Sequence, residues 1–278
     1  MKKKLLAVLS LALIAVLAIG LAACTGDKDD PTTTAGTTAA PKKVLTVGFD
    51  PTFPPMGFEE NGKEVGFDLE LAAEVAKRLG YEFKTYQVTD WKALQTSMDA
   101  GLFNCVWNGF TRNSERVAAF EMTEAYMKNN MVVVVKADSA VQKLADLDGK
   151  QLAIQSGSSA EDDIKAYEFT VDGKTKKFAD SIKLVGKDNN LVALQEVEAG
   201  AVAGAVIDRI VAEYQMTKND GKYRLLEDNL TAEEYAVGFK KGDTATRDAV
   251  QAELDKMIAD GTFKTISEKW FGKDVSIK

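Results

Sequence analysis

The sequence predicts an α/β protein wound as two similar lobes, on three observations. Short apolar runs alternate with amphipathic helical stretches, the order that builds a mainly parallel sheet with helices on its faces. One segment repeats itself: Ala93-Leu94-Gln95, an Ala100-Gly101 stop and an apolar strand ending at Asn108 are matched by Ala193-Leu194-Gln195, Ala199-Gly200 and an apolar strand ending at Asp208. The folded part, 43–278, is also longer than one hydrophobic core comfortably serves.

The chain opens on Lys2, Lys3 and Lys4, followed by an uncharged apolar run over 5–23 that only Ser10 and Gly20 interrupt. Charge followed by an apolar stretch is the order of a secretory signal, so 1–23 is set aside from the fold. A simple transmembrane anchor is the alternative reading of the same run. Either reading puts the remainder outside the cytoplasm. The run ends Leu21-Ala22-Ala23-Cys24, which resembles the bacterial lipobox. That resemblance implies that Cys24 carries a diacylglyceryl group and becomes the new N-terminus. Positions 24–42 are rich in Thr, Ala, Asp and Pro and nearly free of large apolar residues. Such a segment buries too little surface to offset its ordering entropy and is expected to be a flexible tether.

In the folded part the first strand is expected over 44–47. A helix follows over 68–79, with Leu71, Ala72, Val75, Ala76 and Leu79 on one face and Gly80 as its stop. Residues 81–88 are β-rich, 91–100 helical with Gly101 as stop, and 103–107 a buried strand, which completes a βαβαβ unit. The run Met131-Val132-Val133-Val134-Val135 is the least ambiguous strand, and 152–155 is another. A helix is expected to start near Ser158 or Ser159, with Glu161, Asp162 and Asp163 in its first turn, where carboxylates favour the helix dipole. Then 190–199, 201–207 and 208–217 read as helix, strand and helix. The chain closes with a strand over 236–240 and helices over 244–260 and 262–270.

The formal net charge is -7, and it becomes more negative once the three N-terminal lysines are removed. That balance argues against nucleic acid as a partner. With no histidine and only two cysteines, a transition-metal site is not expected, and no cofactor is implied. If Cys24 is lipidated, Cys105 has no disulfide partner. It sits in the apolar run Phe103-Asn104-Cys105-Val106-Trp107 and reads as a buried, inert thiol.

Five spaced motifs then carry a resemblance that runs in order from Lys43 to the end. They are Phe53-Pro54-Pro55 followed by Gly66-Phe67-Asp68-Leu69-Glu70-Leu71-Ala72; Asn108-Gly109-Phe110-Thr111 with Arg116; Gln155-Ser156-Gly157-Ser158-Ser159; and Val206-Ile207-Asp208-Arg209. The set resembles the polar amino-acid-binding proteins of ABC importers, in the bacterial extracellular solute-binding family 3. The resemblance implies a two-lobed periplasmic-binding-protein-like (type II) fold with a hinge and a ligand cleft between lobes. It implies lobe one at 43–129 and 235–278 and lobe two at 130–234. It further implies a monomer that captures an amino acid and hands it to an ABC permease at the extracytoplasmic face of the membrane, lipid-anchored or periplasmic.

A free amino acid presents a carboxylate, an ammonium and a side chain, so a specific site needs an anion pocket, a cation pocket and a third region. Arg116 matches the family's carboxylate clamp, where a planar fork makes two parallel charge-assisted hydrogen bonds. A solvated helix start is the alternative reading of Arg112-Asn113-Ser114-Glu115-Arg116. By family position Thr111 adds a hydroxyl and an N–H, with the backbone of Gly109 alongside. Asp208 matches the ammonium-binding residue; capping the helix that follows is its other role. Asn108 adds a polar contact near the ammonium, and Ser158 and Ser159 approach the carboxylate from the far lobe. Asp50, Phe53 and Trp91 match positions that face the ligand side chain. One carboxylate among flat rings suits arginine, lysine or glutamine, although relatives with a similar aspartate take cystine. Trp107 is open between core and site, and Glu59 or Glu64 reads as loop surface.

Two crossings, near 127–130 and 227–235, allow hinge closure around the ligand. The rival is an enzyme on the same fold, of the cyclohexadienyl dehydratase kind. An intact Asp208, and the absence of histidine or a cysteine pair, count against it.

Overall fold

A computed structural model of the chain describes residues 42–171 and 173–277. The expected signal segment at 1–23, Cys24 and the tether up to 41 lie outside the described residues.

The described chain starts with β1 (Val44–Phe49), whose alternate residues Leu45, Val47 and Phe49 are fully buried on one face. A small antiparallel sheet of β2 (Thr52–Phe53), β3 (Gly57–Glu60) and β4 (Lys63–Val65) leads into α1 (Phe67–Leu79). The helix buries Leu71, Ala72, Val75 and Ala76 and stops at Gly80, whose left-handed φ of 69° turns its N–H back to the carbonyls of Ala76 and Lys77. After β5 (Glu82–Gln87), a turn of 3-10 helix at Trp91–Ala93 precedes α2 (Leu94–Asp99). The turn forms because Asp90 accepts the Lys92 N–H.

Next come β6 (Cys105–Val106), α3 (Ser114–Ala119) and β7 (Glu121–Met122). The strand expected over 103–107 is therefore shorter. At its start the Asn104 side chain, not a backbone carbonyl, takes the Thr46 N–H. The long β8 (Met127–Lys136) then enters a second region, with β9 (Gln151–Gln155), α4 (Ala160–Ala166) and a hairpin of β10 (Glu168–Val171) and β11 (Lys174–Lys177). That region continues with α5 (Phe178–Ser181), β12 (Lys183–Lys187), α6 (Asn190–Glu198), β13 (Gly204–Asp208), α7 (Arg209–Lys218) and β14 (Tyr223–Tyr235). The chain returns with β15 (Gly238–Phe239), α8 (Thr244–Ala259) and α9 (Thr262–Phe271).

Two five-stranded sheets result, in the orders β5-β1-β6-β15-β7 and β12-β9-β13-β8-β14. In each, the first three strands are parallel, the fourth is antiparallel to the third, and the fifth is antiparallel to the fourth. The internal repeat in the sequence is thus a repeat of topology, with β6 and β13 as equivalent central strands. Both sheets are covered on both faces. In β8, Met131, Val133 and Val135 join one buried cluster while Val132 and Val134 join another, which is why the run shows no alternation. Each such side chain contributes roughly 1.5–3 kcal/mol relative to exposure. The two crossings are paired to each other, β14 with β8, from Tyr223↔Lys136 to Tyr235↔Met127, with register shifts between Leu225 and Asn229 and between Asn229 and Thr231. Across the crossings Val211 of α7 packs into the cluster built by β1 and α1.

Candidate functional site

Four strand ends supply the expected residues. Asp50 follows β1, Asn108, Gly109 and Thr111 follow β6, Ser158 and Ser159 follow β9, and Asp208 is the last residue of β13. The carboxyl edges of parallel strands are where open α/β sheets bind ligands. The structure brings Phe53, Trp91, Asn108, Gly109, Thr111, Arg116, Ser158, Ser159 and Asp208 around one cavity of about 30 Å³, together with Phe110 and Gln155. Asp50 does not line it. Its Oδ1 accepts from the Thr52 N–H and hydroxyl, and its Oδ2 from Trp91 Nε1 at 3.2 Å and from Gln155 Nε2 at 2.8 Å. A space of that size holds about one water. A larger cavity of about 380 Å³ opens beside it, sharing Trp91, Phe110, Arg116, Ser158 and Ser159.

Arg116 lies inside α3, whose start is capped by Asn113 accepting the Arg116 N–H at 2.9 Å. Its guanidinium does not lie on a solvated face. It stacks 4.1 Å from the centre of the Phe110 ring and donates to the Thr111 carbonyl at 3.3 Å. Asp208 occupies the cap position of α7 but its side chain does not cap. That carboxylate accepts instead from Asn129 Nδ2 at 2.9 Å and from the Tyr235 hydroxyl. The helix expected near Ser158 or Ser159 starts at Ala160 with Ser159 as its cap residue, whose carbonyl accepts the Asp163 N–H at 3.1 Å, although the Ser159 side chain does not cap. The Ser158 hydroxyl donates to the Gln155 carbonyl, while Ser159 Oγ lies 3.0 Å from Thr111 Oγ1, a contact between the two sheets.

Gly109 has a φ of 58°, and a Cβ there would lie 2.8 Å from the Phe53 ring, so the turn requires glycine. Its N–H donates to Asp68 Oδ2 at 2.7 Å. Asp68 also accepts from the Tyr126 hydroxyl at 2.8 Å and is fully buried. Asn108 orients Asp50 by accepting its N–H at 2.8 Å. Trp107 is fully buried beside Tyr126 and does not line the cavity, so of its two readings the core one holds.

The electrostatics are lopsided. Burial raises the Asp208 carboxyl well above the usual carboxylate range, and the neighbouring Glu233 raises it further, against the Tyr235 hydroxyl. Asp163 is raised in the same way, by burial and then by Glu233. Desolvation lowers the Arg116 guanidinium from its ordinary value while Glu233, Asp208 and Asp163 oppose that shift. Glu115 opposes it too, so four carboxyls act on one guanidinium and the site carries an excess of acidic groups. Burial also pushes the Cys105 thiol up, as an inert core cysteine requires.

The sequence profile of the bacterial extracellular solute-binding proteins, family 3, matches residues 45–273. The chain belongs to that family. This solute-binding protein is 30% identical over 234 residues to the arginine-binding extracellular protein ArtP of Bacillus subtilis (strain 168), covering 83% of this chain and 87% of the relative. It is 30% identical over 282 residues to the L-cystine-binding protein TcyA of the same organism, covering 99% and 100%. Among solved structures, an ABC uptake transporter substrate-binding protein from Streptococcus pneumoniae with bound histidine superposes with a TM-score of 0.74 at 30% identity, covering 84% of this chain and 95% of that one.

In this solute-binding protein the polar groups that sequence reasoning missed are Gln155, Asn129, Glu233 and Tyr235. Gln155 lay inside a quoted motif, but nothing marked its side chain as the partner of Asp50. Glu233 carried a signal: along β14 it is in phase with the buried Tyr235, and a glutamate on a buried face calls for partners. Asn129 lies in β8 outside the valine run and carried no signal.

Proposed function

We propose that this extracellular solute-binding protein captures a polar amino acid between its lobes, with basic amino acids or glutamine favoured and cystine possible, and presents the closed form to an ABC permease. Lobe one is taken as 43–129 with 235–278 and lobe two as 130–234, joined through β8 and β14. The observation that carries this reading is that Arg116, from the first sheet's side, and Asp208, from the second, line one cavity. That pair meets a carboxylate and an ammonium at once, the two charges every amino acid has. Thr111, Ser158 and Ser159 add hydroxyls on the carboxylate side, and Asn108 stands near the ammonium.

The cavity of about 30 Å³ continues into the neighbouring one of about 380 Å³, and hinge motion of the lobes admits and then encloses the ligand. The protein acts from the outer face of the membrane as a monomer, held through lipidated Cys24. Relatives that bind arginine, cystine and histidine by name fit the side-chain preference. A thermal-shift screen against the twenty amino acids and cystine tests the reading, because a ligand that binds only the native state raises the melting temperature. No shift with any of them refutes it. Loss of membrane association in Cys24→Ala tests the anchor separately.

A further inference from the structure

Glu233 stands on the groups that an amino acid's carboxylate is expected to use. It is 5% exposed on β14. Its Oε1 accepts from Thr111 Oγ1 and from Ser159 Oγ, each at 2.9 Å, and its Oε2 accepts from Asn129 Nδ2 at 2.8 Å. Among the charges that act on Arg116 it is the foremost. Thr111, Ser159 and Arg116 therefore already face a carboxylate that the chain supplies. Three short contacts join Thr111 Oγ1, Ser159 Oγ and Glu233 Oε1, and the two hydroxyls bring one proton each. Both protons are engaged within the triangle, and neither is left for a ligand.

We propose that Glu233 is a built-in competitor for the ligand's α-carboxylate. This rests on the assignment of Thr111, Arg116 and Ser159 to that carboxylate. Glu233 opposes the charge of Arg116 and joins Thr111 of the first lobe to Ser159 of the second, a bridge built from the chain's own groups. An incoming amino acid gains the two hydroxyls only by displacing Glu233, which lowers affinity. A protein that must hand its ligand on gains faster release from the same competition.

The test is calorimetry on the full chain and its Glu233→Ala and Glu233→Gln variants. The probes are L-arginine, L-histidine, L-glutamine and L-cystine, each beside its decarboxylated amine: agmatine, histamine, 4-aminobutanamide and cystamine. Competition for a carboxylate predicts that Glu233→Ala tightens binding of the amino acid by about tenfold. Glu233→Gln should tighten it less, since its amide oxygen still accepts the hydroxyl protons. The amines should gain nothing, because removing an anion does not help a lone ammonium. Unchanged or weaker amino-acid binding in Glu233→Ala overturns the proposal, as does an equal gain for the amine. If Glu233→Ala does not fold, the near-isosteric Glu233→Gln decides by the same contrast of acid against amine. Should the wild type bind none of these four and none of the remaining amino acids, the amino-acid reading itself fails and the competitor role fails with it.

Discussion

Raising the pH should destabilise this protein through Asp68, and the size of the effect follows from its surroundings. The carboxyl is fully buried, accepts from the Gly109 N–H and the Tyr126 hydroxyl, and has its pKa raised by burial from 3.8 to about 7. A carboxyl whose pKa is higher folded than unfolded favours the folded state at low pH. The unfolded chain ionises first, so stability is lost as pH climbs from the unfolded value and levels off above the folded one. Each unit of separation is worth about 1.4 kcal/mol, so between roughly pH 4 and pH 7 Asp68 withdraws on the order of 4 kcal/mol. Asp68→Asn keeps the shape and an acceptor for the Gly109 N–H but cannot ionise. Denaturant unfolding of wild type and variant, across that range and without ligand, should give slopes of stability against pH that differ by up to about 1.4 kcal/mol per unit, the wild type falling more steeply. Parallel slopes would refute the argument, and so would a wild type that gains stability relative to the variant as pH rises.

Three further outcomes are expected. Arg116→Ala and Asp208→Ala should each weaken amino-acid binding by more than about tenfold, since each leaves a ligand charge unpaired in a desolvated cleft; retained affinity by calorimetry contradicts this. Because burial and Glu233 raise the Asp208 carboxyl and an ammonium favours its ionised form, ligand uptake near neutral pH should release protons. Calorimetry in buffers of different ionisation enthalpy would show it, and heats independent of buffer would count against it. Gly80→Ala, at φ 69° with open space around a Cβ, should cost about 1–2 kcal/mol and leave binding intact. Gly109→Ala, equally left-handed but driven into the Phe53 ring, should cost more and abolish binding.

Much of the architecture was written locally. The Val-rich β8 is marked by its composition, the amphipathic α1 with its Gly80 stop by its period, and the two lobes by the repeated helix-stop-strand segment, so the equivalence of β6 and β13 follows from short stretches. Short elements such as β2, β3, β4, β7 and α5 went unforeseen, and so did longer ones without an apolar signature: the polar edge strand β12, the hairpin of β10 and β11, and β14, whose pairing with β8 shifts register between Leu225 and Asn229 and again before Thr231. For the site, the family resemblance of the spaced motifs named most of the groups that line the cavity, Phe110 and Gln155 apart. It could not say that Asp50 is occupied by Thr52, Trp91 and Gln155 and stands behind the cavity.

By itself the sequence determined the two-lobed α/β winding, the family and the cluster of residues around Arg116 and Asp208, because helix and strand periods and spaced motifs are properties of neighbouring residues. Only the tertiary structure decided who partners whom. Thr111 and Glu233 are 122 positions apart, and Asp50 and Gln155 are 105 apart. Such pairs meet only because two paired crossing strands bring separate sheet edges together. Burial there removes water as an alternative partner, so a hydroxyl or carboxylate must take whichever side chain the fold delivers.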